Sequence, residues 1–365
     1  MTVKRLGVAG ALVGDDLVAG DVSIADGRIE AIGLSPAGTG LALPGFIDPQ
    51  VNGFAGVDFL DASPEQIRAA GEALAGTGVV AYQPTLITSR LKETVSAGGA
   101  IAEAAGLRGG ARIVGIHLEG PFLSPRRAGT HPPELLQMPD WEEMATMLAA
   151  GPVTMVTLAP ELPGAVDVIT RLVEEGVIVS LGHSDATAEE AVQGFEAGAT
   201  AVTHLFNAMR PFSHRDPGIA GVALARSSIY LGVIADRQHL ADETTITIWR
   251  AASERMVMVT DAIAASGQGN GNWTLGEVSI EVRDGVARRS DGTLAGSTGT
   301  MDASFRNLLE LGVPLSDAVA ATSRNARRML GLEEEKLVPG ASADIVVLDD
   351  NFHVVRTLIG GTEAG

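Results

Sequence analysis

The chain has no cysteine among its 365 residues. That excludes disulfides and thiolate ligands, so any bound metal must rely on His, Asp or Glu. Aromatic residues are scarce, at 4% against 45% hydrophobic overall, so the core must be built from aliphatic side chains. No apolar run approaches the length of a membrane span. The first ten residues, MTVKRLGVAG, lack the long apolar stretch of a secretory signal. The expectation is a soluble, cytoplasmic protein. Positive charge is also short: 26 Lys and Arg face 45 Asp and Glu, for a net charge of −19. Such a surface serves solubility and repels nucleic acid and anionic membranes, and an anionic ligand needs a local cationic pocket.

What is present is a repeating rhythm. Short apolar runs at 45–50, 79–85, 112–117, 153–158, 177–181, 199–204, 229–235 and 256–261 alternate with helical stretches. Strands of this kind, buried on both faces and separated by helices, indicate a parallel sheet. Eight units indicate a (β/α)8 TIM-like barrel. Both ends read differently. Residues 21–32 form two short strands around Asp26-Gly27, and 343–348 and 353–358 are strand-like, so the termini are expected to pair into one small β-domain. The expected division is 1–43 and 336–365 for the small domain and 44–335 for the barrel. Ser63-Pro64-Glu65-Gln66 carries a capping box, and Ser316 is expected to open another helix. A loop is expected over 266–272, followed by a hairpin over 273–288 that turns at Asp284-Gly285.

Active sites of such barrels lie at the C-terminal ends of the strands. The first run ends at Gln50 and Asn52, the third at His117 and Glu119, the fifth at His183, the sixth at His204, and the eighth at Asp261. Two imidazoles and a carboxylate suit Zn²⁺ or a similar ion, and a further carboxylate can move a proton. Each residue alone has a plainer reading. A histidine after a strand serves a structural hydrogen bond as readily as a metal, Glu119 can cap a helix or pair with Arg126, and Asp261 can belong to a turn. Several at strand ends of one barrel are harder to explain separately.

The segments LPGFIDPQVNG (43–53), GIHLEGPFLSPRRAGTHPPE (115–134), LGHSDAT (181–187), VTHLFNAM (202–209), MVTDA (258–262) and LAGSTGTM (294–301) resemble the N-acetylglucosamine-6-phosphate deacetylases of the amidohydrolase superfamily. The likeness runs in order from about residue 41 to 301. It implies a split small β-sandwich domain formed from both chain termini, and hydrolysis of the acetamide of N-acetyl-D-glucosamine 6-phosphate. It implies that Glu119, His183 and His204 bind the metal. Asp261 would be general base and then acid for a metal-activated water, and His131 would polarise the acetyl carbonyl. Thr130, Asn207, Ala208, Arg215, Asp236 and His239 match substrate-binding positions, the last around the phosphate, and the Leu294, Ala295, Gly296 turn would close over the acetyl group. A homodimer is implied, with Arg215 and His239 able to act across the interface.

Two departures stand out. Many amidohydrolases carry His-x-His after the first strand for a second metal; here Gln50 and Asn52 stand there, and amides are poor Zn²⁺ ligands. One divalent ion per subunit is therefore expected, Zn²⁺ first, with Fe, Mn or Co as alternatives. Arg237 stands where the family commonly has a small residue, next to the expected phosphate pocket. The competing readings are a deacetylase of N-acetylgalactosamine 6-phosphate, a cyclic-amide hydrolase, and a metal-free scaffold. No predicted strand ends in the lysine that cyclic-amide hydrolases often use.

Overall fold

The computed structural model describes residues 3–333 and 336–364. The eight apolar runs are the strands of one parallel barrel: Phe46–Val51, Val79–Ile87, Ile116–Glu119, Val153–Leu158, Ile178–Leu181, Ala201–Val202, Tyr230–Val233 and Met256–Met258. Each pairs with the next in parallel. The third run is split, with a separate segment at Arg112–Ile113 on the second strand. Gly115 sits in the break at φ +132°, where a Cβ would lie 1.9 Å from Thr154 Oγ1, so only glycine fits. The barrel closes by a single parallel bridge between Val51 and Ala262.

Several strands are shorter than the apolar runs. The sixth ends at Val202 and the eighth at Met258, because the backbone then leaves the ladder. His183, His204 and Asp261 all have positive φ, at 46°, 31° and 51°. Non-glycine residues rarely adopt this conformation, and it gathers at functional sites.

Both termini build the small domain. One sheet runs in the order Thr362–Ala364, Val354–Ile359, Ile345–Leu348, Leu41–Pro44, Gly10–Val13, Asp16–Ala19, and a second joins Lys4–Arg5, Asp21–Ala25 and Arg28–Leu34. Strand periodicity sorts the core. Ile345 and Val347 pack with Leu6, Val22 and Ile29 inside the small domain, while Val346 and Leu348 pack with the barrel core. Each such buried aliphatic side chain contributes about 1.5–3 kcal/mol. No helix among the described residues is long and apolar enough to cross a membrane.

The helix Pro64–Ala75 opens with the capping box read from sequence: Gln66 N donates to Ser63 Oγ at 3.3 Å, and Ser63 N donates to Gln66 Oε1 at 2.8 Å. Ser316 does not open its helix. Leu315–Val319 starts after Pro314 and runs through a wider turn, Ala320–Arg324, into Asn325–Met329. Proline presets the entry, and the wide turn lets Ser323 Oγ donate to Gly45 O at 2.8 Å across the barrel floor. The loop expected over 266–272 is shorter than that. Ser266 is buried, with Oγ donating to Ser297 O at 3.1 Å, and a strand already begins at Gly271. The hairpin is a three-stranded sheet, Gly271–Leu275, Val278–Arg283 and Val286–Arg288, because Gly276 at φ +53° permits a second turn.

Candidate active site

Glu119 ends the third strand and is buried, as are His183 and His204 at the ends of the fifth and sixth. Glu119 Oε1 lies 3.1 Å from His183 Nε2 and 3.1 Å from His204 Nε2, and the two Nε2 atoms are 3.0 Å apart. His183 Nδ1 donates to Arg127 O at 2.9 Å, which fixes its tautomer and turns the Nε2 lone pair inward. An ion at about 2.0–2.2 Å from each donor fits over a triangle of this size. Without a cation, the His183 lone pair would face a second imidazole nitrogen and a carboxylate. The donor set therefore fits a divalent metal, and these three residues are grouped as a metal ligand set would be.

The electrostatics divide the acidic groups. Burial opposes ionisation of Glu119, yet the imidazoles of His183 and His204 beside it hold its carboxyl well below the usual range. Asp261 is pushed the other way, up to about 6, by burial and by the charge of Glu119. Two carboxyl groups displaced in opposite directions suit a ligand and a proton carrier. Asp261 Oδ1 accepts Gln50 Nε2 at 3.0 Å and Asn52 Nδ2 at 2.7 Å.

His131 stands across the same cavity, its Nε2 3.8 Å from Glu119 Oε2. Thr88 N donates to its Nδ1 at 3.2 Å, so in the neutral ring the proton sits on Nε2. Burial, and then the neighbouring His183, push the imidazole down to about 3, which keeps it neutral at physiological pH.

A cavity of about 240 Å³ joins these groups, lined also by Asn52, Thr130, Asn207, Ala208, His239, Leu294 and Gly296. Thr130 Oγ1 donates to Leu294 O at 3.0 Å, which ties the His131 loop to the turn after the hairpin. Asn207 Nδ2 lies 3.3 Å from His204 O and Leu205 O. His239 is held by Asp236, Nδ1 to Oδ2, at 2.8 Å.

Three residues expected at the site lie off the cavity wall. Asp236 supports His239 from behind. Ala295 is buried against Ile87, Ile263 and Leu275, because Gly296 next to it, at φ +60°, faces the cavity instead. Arg215 is exposed on the loop after Phe212 and does not line its own chain's cavity. Asp216 pairs instead with Arg210, at 2.7 Å. Arg237 also turns away: its guanidinium pairs with Asp242 at 3.2 Å and Glu310 at 2.9 Å. Arg126 pairs with Asp185, not Glu119.

Sequence reasoning missed Thr88, Ile87, Gly129, Ile234, Leu275 and Thr293. Thr88 was detectable as a hydroxyl directly after an apolar run. Leu275 was not, since the hairpin gave no sign of folding over the strand ends. The cavity lining includes no lysine.

Residues 41–364 match the sequence model of the Amidohydrolase family. The chain belongs to the amidohydrolase family. Within it, the chain is 43% identical over 338 residues to the N-acetylglucosamine-6-phosphate deacetylase of Bos taurus, spanning 87% of this chain and 82% of that one. It is 37% identical to the N-acetylgalactosamine-6-phosphate deacetylase of Escherichia coli O157:H7, over 93% of both. A structure of an N-acetyl-D-glucosamine-6-phosphate deacetylase variant from Mycobacterium smegmatis, in complex with N-acetyl-D-glucosamine-6-phosphate, superposes with a TM-score of 0.94 at 35% identity, covering 100% of this chain and 99% of that one.

Proposed function

We propose that this enzyme hydrolyses the acetamide of N-acetyl-D-glucosamine 6-phosphate to D-glucosamine 6-phosphate and acetate. The observation that carries the reading is the Glu119–His183–His204 triangle sharing one cavity with Asp261 and His131. Glu119, His183 and His204 would hold one divalent ion, Zn²⁺ first, with Fe, Mn or Co as alternatives. Bound there, the ion supplies Lewis acidity to the acetyl carbonyl and acidifies a water. Gln50 and Asn52 present amide donors to Asp261, not a second pair of imidazoles, which supports a single ion.

The chain's own groups complete the reaction. His131 Nε2–H donates to the acetyl oxygen and strengthens that bond as negative charge develops. Asp261 accepts a proton from the attacking water as the carbon–oxygen bond forms. The same carboxyl returns the proton to the nitrogen as the carbon–nitrogen bond breaks. The water's second proton leaves with the products, acetate and the ammonium form of the amino sugar, and Asp261 is again ionised.

Thr130, Asn207 and Ala208 would position the sugar, and the Leu294–Gly296 turn would cover the acetyl group. His239, steadied by Asp236, would meet the phosphate. Arg215 lies outside its own chain's cavity, which suits the reading that it reaches the phosphate of a partner subunit in a homodimer. A cysteine-free chain that turns over a phosphorylated metabolite suits the cytoplasm.

The galacto epimer is the second reading, favoured by the Escherichia coli relative. Acetate release from both N-acetylhexosamine 6-phosphates separates them. Faster kcat/KM on the gluco epimer is expected; preference for the galacto epimer would reverse the assignment, and release from neither would remove it.

A further inference from the structure

We infer that Gln50 and Asn52 are positioning residues for Asp261: together they hold Oδ1 and leave Oδ2 as the oxygen that carries the proton. The inference rests on the deacetylase reading. Both amide nitrogens meet the same oxygen, Gln50 Nε2 at 3.0 Å and Asn52 Nδ2 at 2.7 Å. Among the described residues no hydrogen bond reaches Oδ2. That oxygen lies on the Gly296 side, where a Cβ would come within 3.9 Å of it, and Gly296 lines the cavity.

The amides are rigidly placed. Asp261 N donates to Gln50 O at 3.0 Å, and Asn52 N donates to Ala262 O at 2.7 Å, so the ends of the first and eighth strands are stitched together around the carboxylate. Gln50 Nε2 also lies 3.3 Å from Glu119 Oε1. One amide group thus stands between two carboxylates and gives a hydrogen towards each, which offsets their repulsion.

Asn52 shows which end of its amide matters. Its Oδ1 is buried and, among the described residues, has no hydrogen-bond partner. A buried acceptor without a donor is unfavourable, and it persists here because turning the amide over would set its carbonyl against the carboxylate of Asp261. An asparagine kept only for packing would not leave that acceptor unsatisfied.

A double-mutant cycle tests this, with Asn52→Leu and the isosteric Asn52→Asp each made alone and with Asp261→Asn. Single-turnover rates, KM and metal content are measured on N-acetyl-D-glucosamine 6-phosphate. The Asn52 variants should lose about 10- to 100-fold in kcat, the scale of a misplaced catalytic group, with KM and metal content unchanged. In the Asp261→Asn background they should cost nothing further. Gln50→Leu, made as a third route, should lose kcat in the same way; its amide also reaches Glu119, so its metal content is read separately. Equal losses in both backgrounds, or loss of metal in place of kcat, would overturn the inference. A native enzyme that releases no acetate would instead sink the deacetylase reading, and this inference with it.

Discussion

Thr88 N–H donates to His131 Nδ1 at 3.2 Å, and Thr88 Oγ1 lies 2.9 Å from the same nitrogen. The ring is thereby committed to one orientation, with Nε2–H as its remaining donor into the cavity. His131→Asn shortens the side chain and withdraws that donor. Its kcat should fall by about 10²- to 10³-fold, the scale for one oxyanion donor, while metal content stays at the native level. Atomic emission on the purified variant, beside its turnover, checks this. Loss of the metal would make His131 a ligand.

Arg215 predicts a result that only an oligomer can give. Arg215→Ala and Asp261→Asn should each be nearly inactive alone. Mixed after reversible dissociation, subunits of the proposed homodimer would form heterodimers with one site that has both Asp261 and its partner's Arg215. Activity should return on the order of one quarter of the native value for random pairing in a twofold dimer. An inactive mixture would confine Arg215 to its own subunit's site, and an Arg215→Ala variant active on its own would remove it from catalysis.

Arg237 stands in the left-handed region at φ +63°, on the loop that carries His239. Its ion pairs with Asp242 and Glu310 are on the surface, where such pairs contribute little. Glycine takes this backbone conformation without strain. Arg237→Gly should leave the melting temperature unchanged or slightly raised, and kcat/KM within about threefold, since the guanidinium points away from the cavity. A change of epimer preference in this variant would show that Arg237 reaches the substrate.

Asp58 gives a pH-dependent stability that is separate from the chemistry. It accepts Gly276 N at 2.7 Å and Leu60 N at 3.0 Å, and so anchors the hairpin to the barrel. Burial raises its carboxyl to about 6. A raised carboxyl favours the fold fully below its unfolded value, near 3.8, and that contribution is lost as pH rises through about 6. Asp58→Asn cannot ionise. Its stability relative to the native protein should improve between about pH 4 and 7, by up to roughly 3 kcal/mol. Urea denaturation across that range measures it; a constant difference would mean that Asp58 is not shifted.

The barrel was legible because eight apolar runs of strand length cannot all be buried any other way. The triangle of candidate ligands was legible for a related reason: Glu119, His183 and His204 each follow such a run, and a barrel brings strand ends together. The local backbone was not legible. Nothing in the residue types of His183, His204 or Asp261 announces a positive φ, which tertiary packing imposes. Ala295 was assigned to the site, and Arg237 placed beside the expected phosphate pocket, by position in a motif, yet side-chain direction turns Arg237 towards Asp242 and Ala295 into the hairpin core. The hairpin's second turn, at Gly276, rests on a single glycine that reads equally well as a strand residue.

The central claim is a metal-dependent amide hydrolysis on Glu119, His183 and His204, and metal analysis coupled to acetate release tests it most directly. The purified protein should carry about one divalent ion per chain, and release acetate from N-acetyl-D-glucosamine 6-phosphate. A chelator should abolish release, and adding Zn²⁺ back should restore it; His183→Ala with His204→Ala should bind no ion and stay inactive. Full acetate release from protein freed of metal, or from the double variant, would contradict the account.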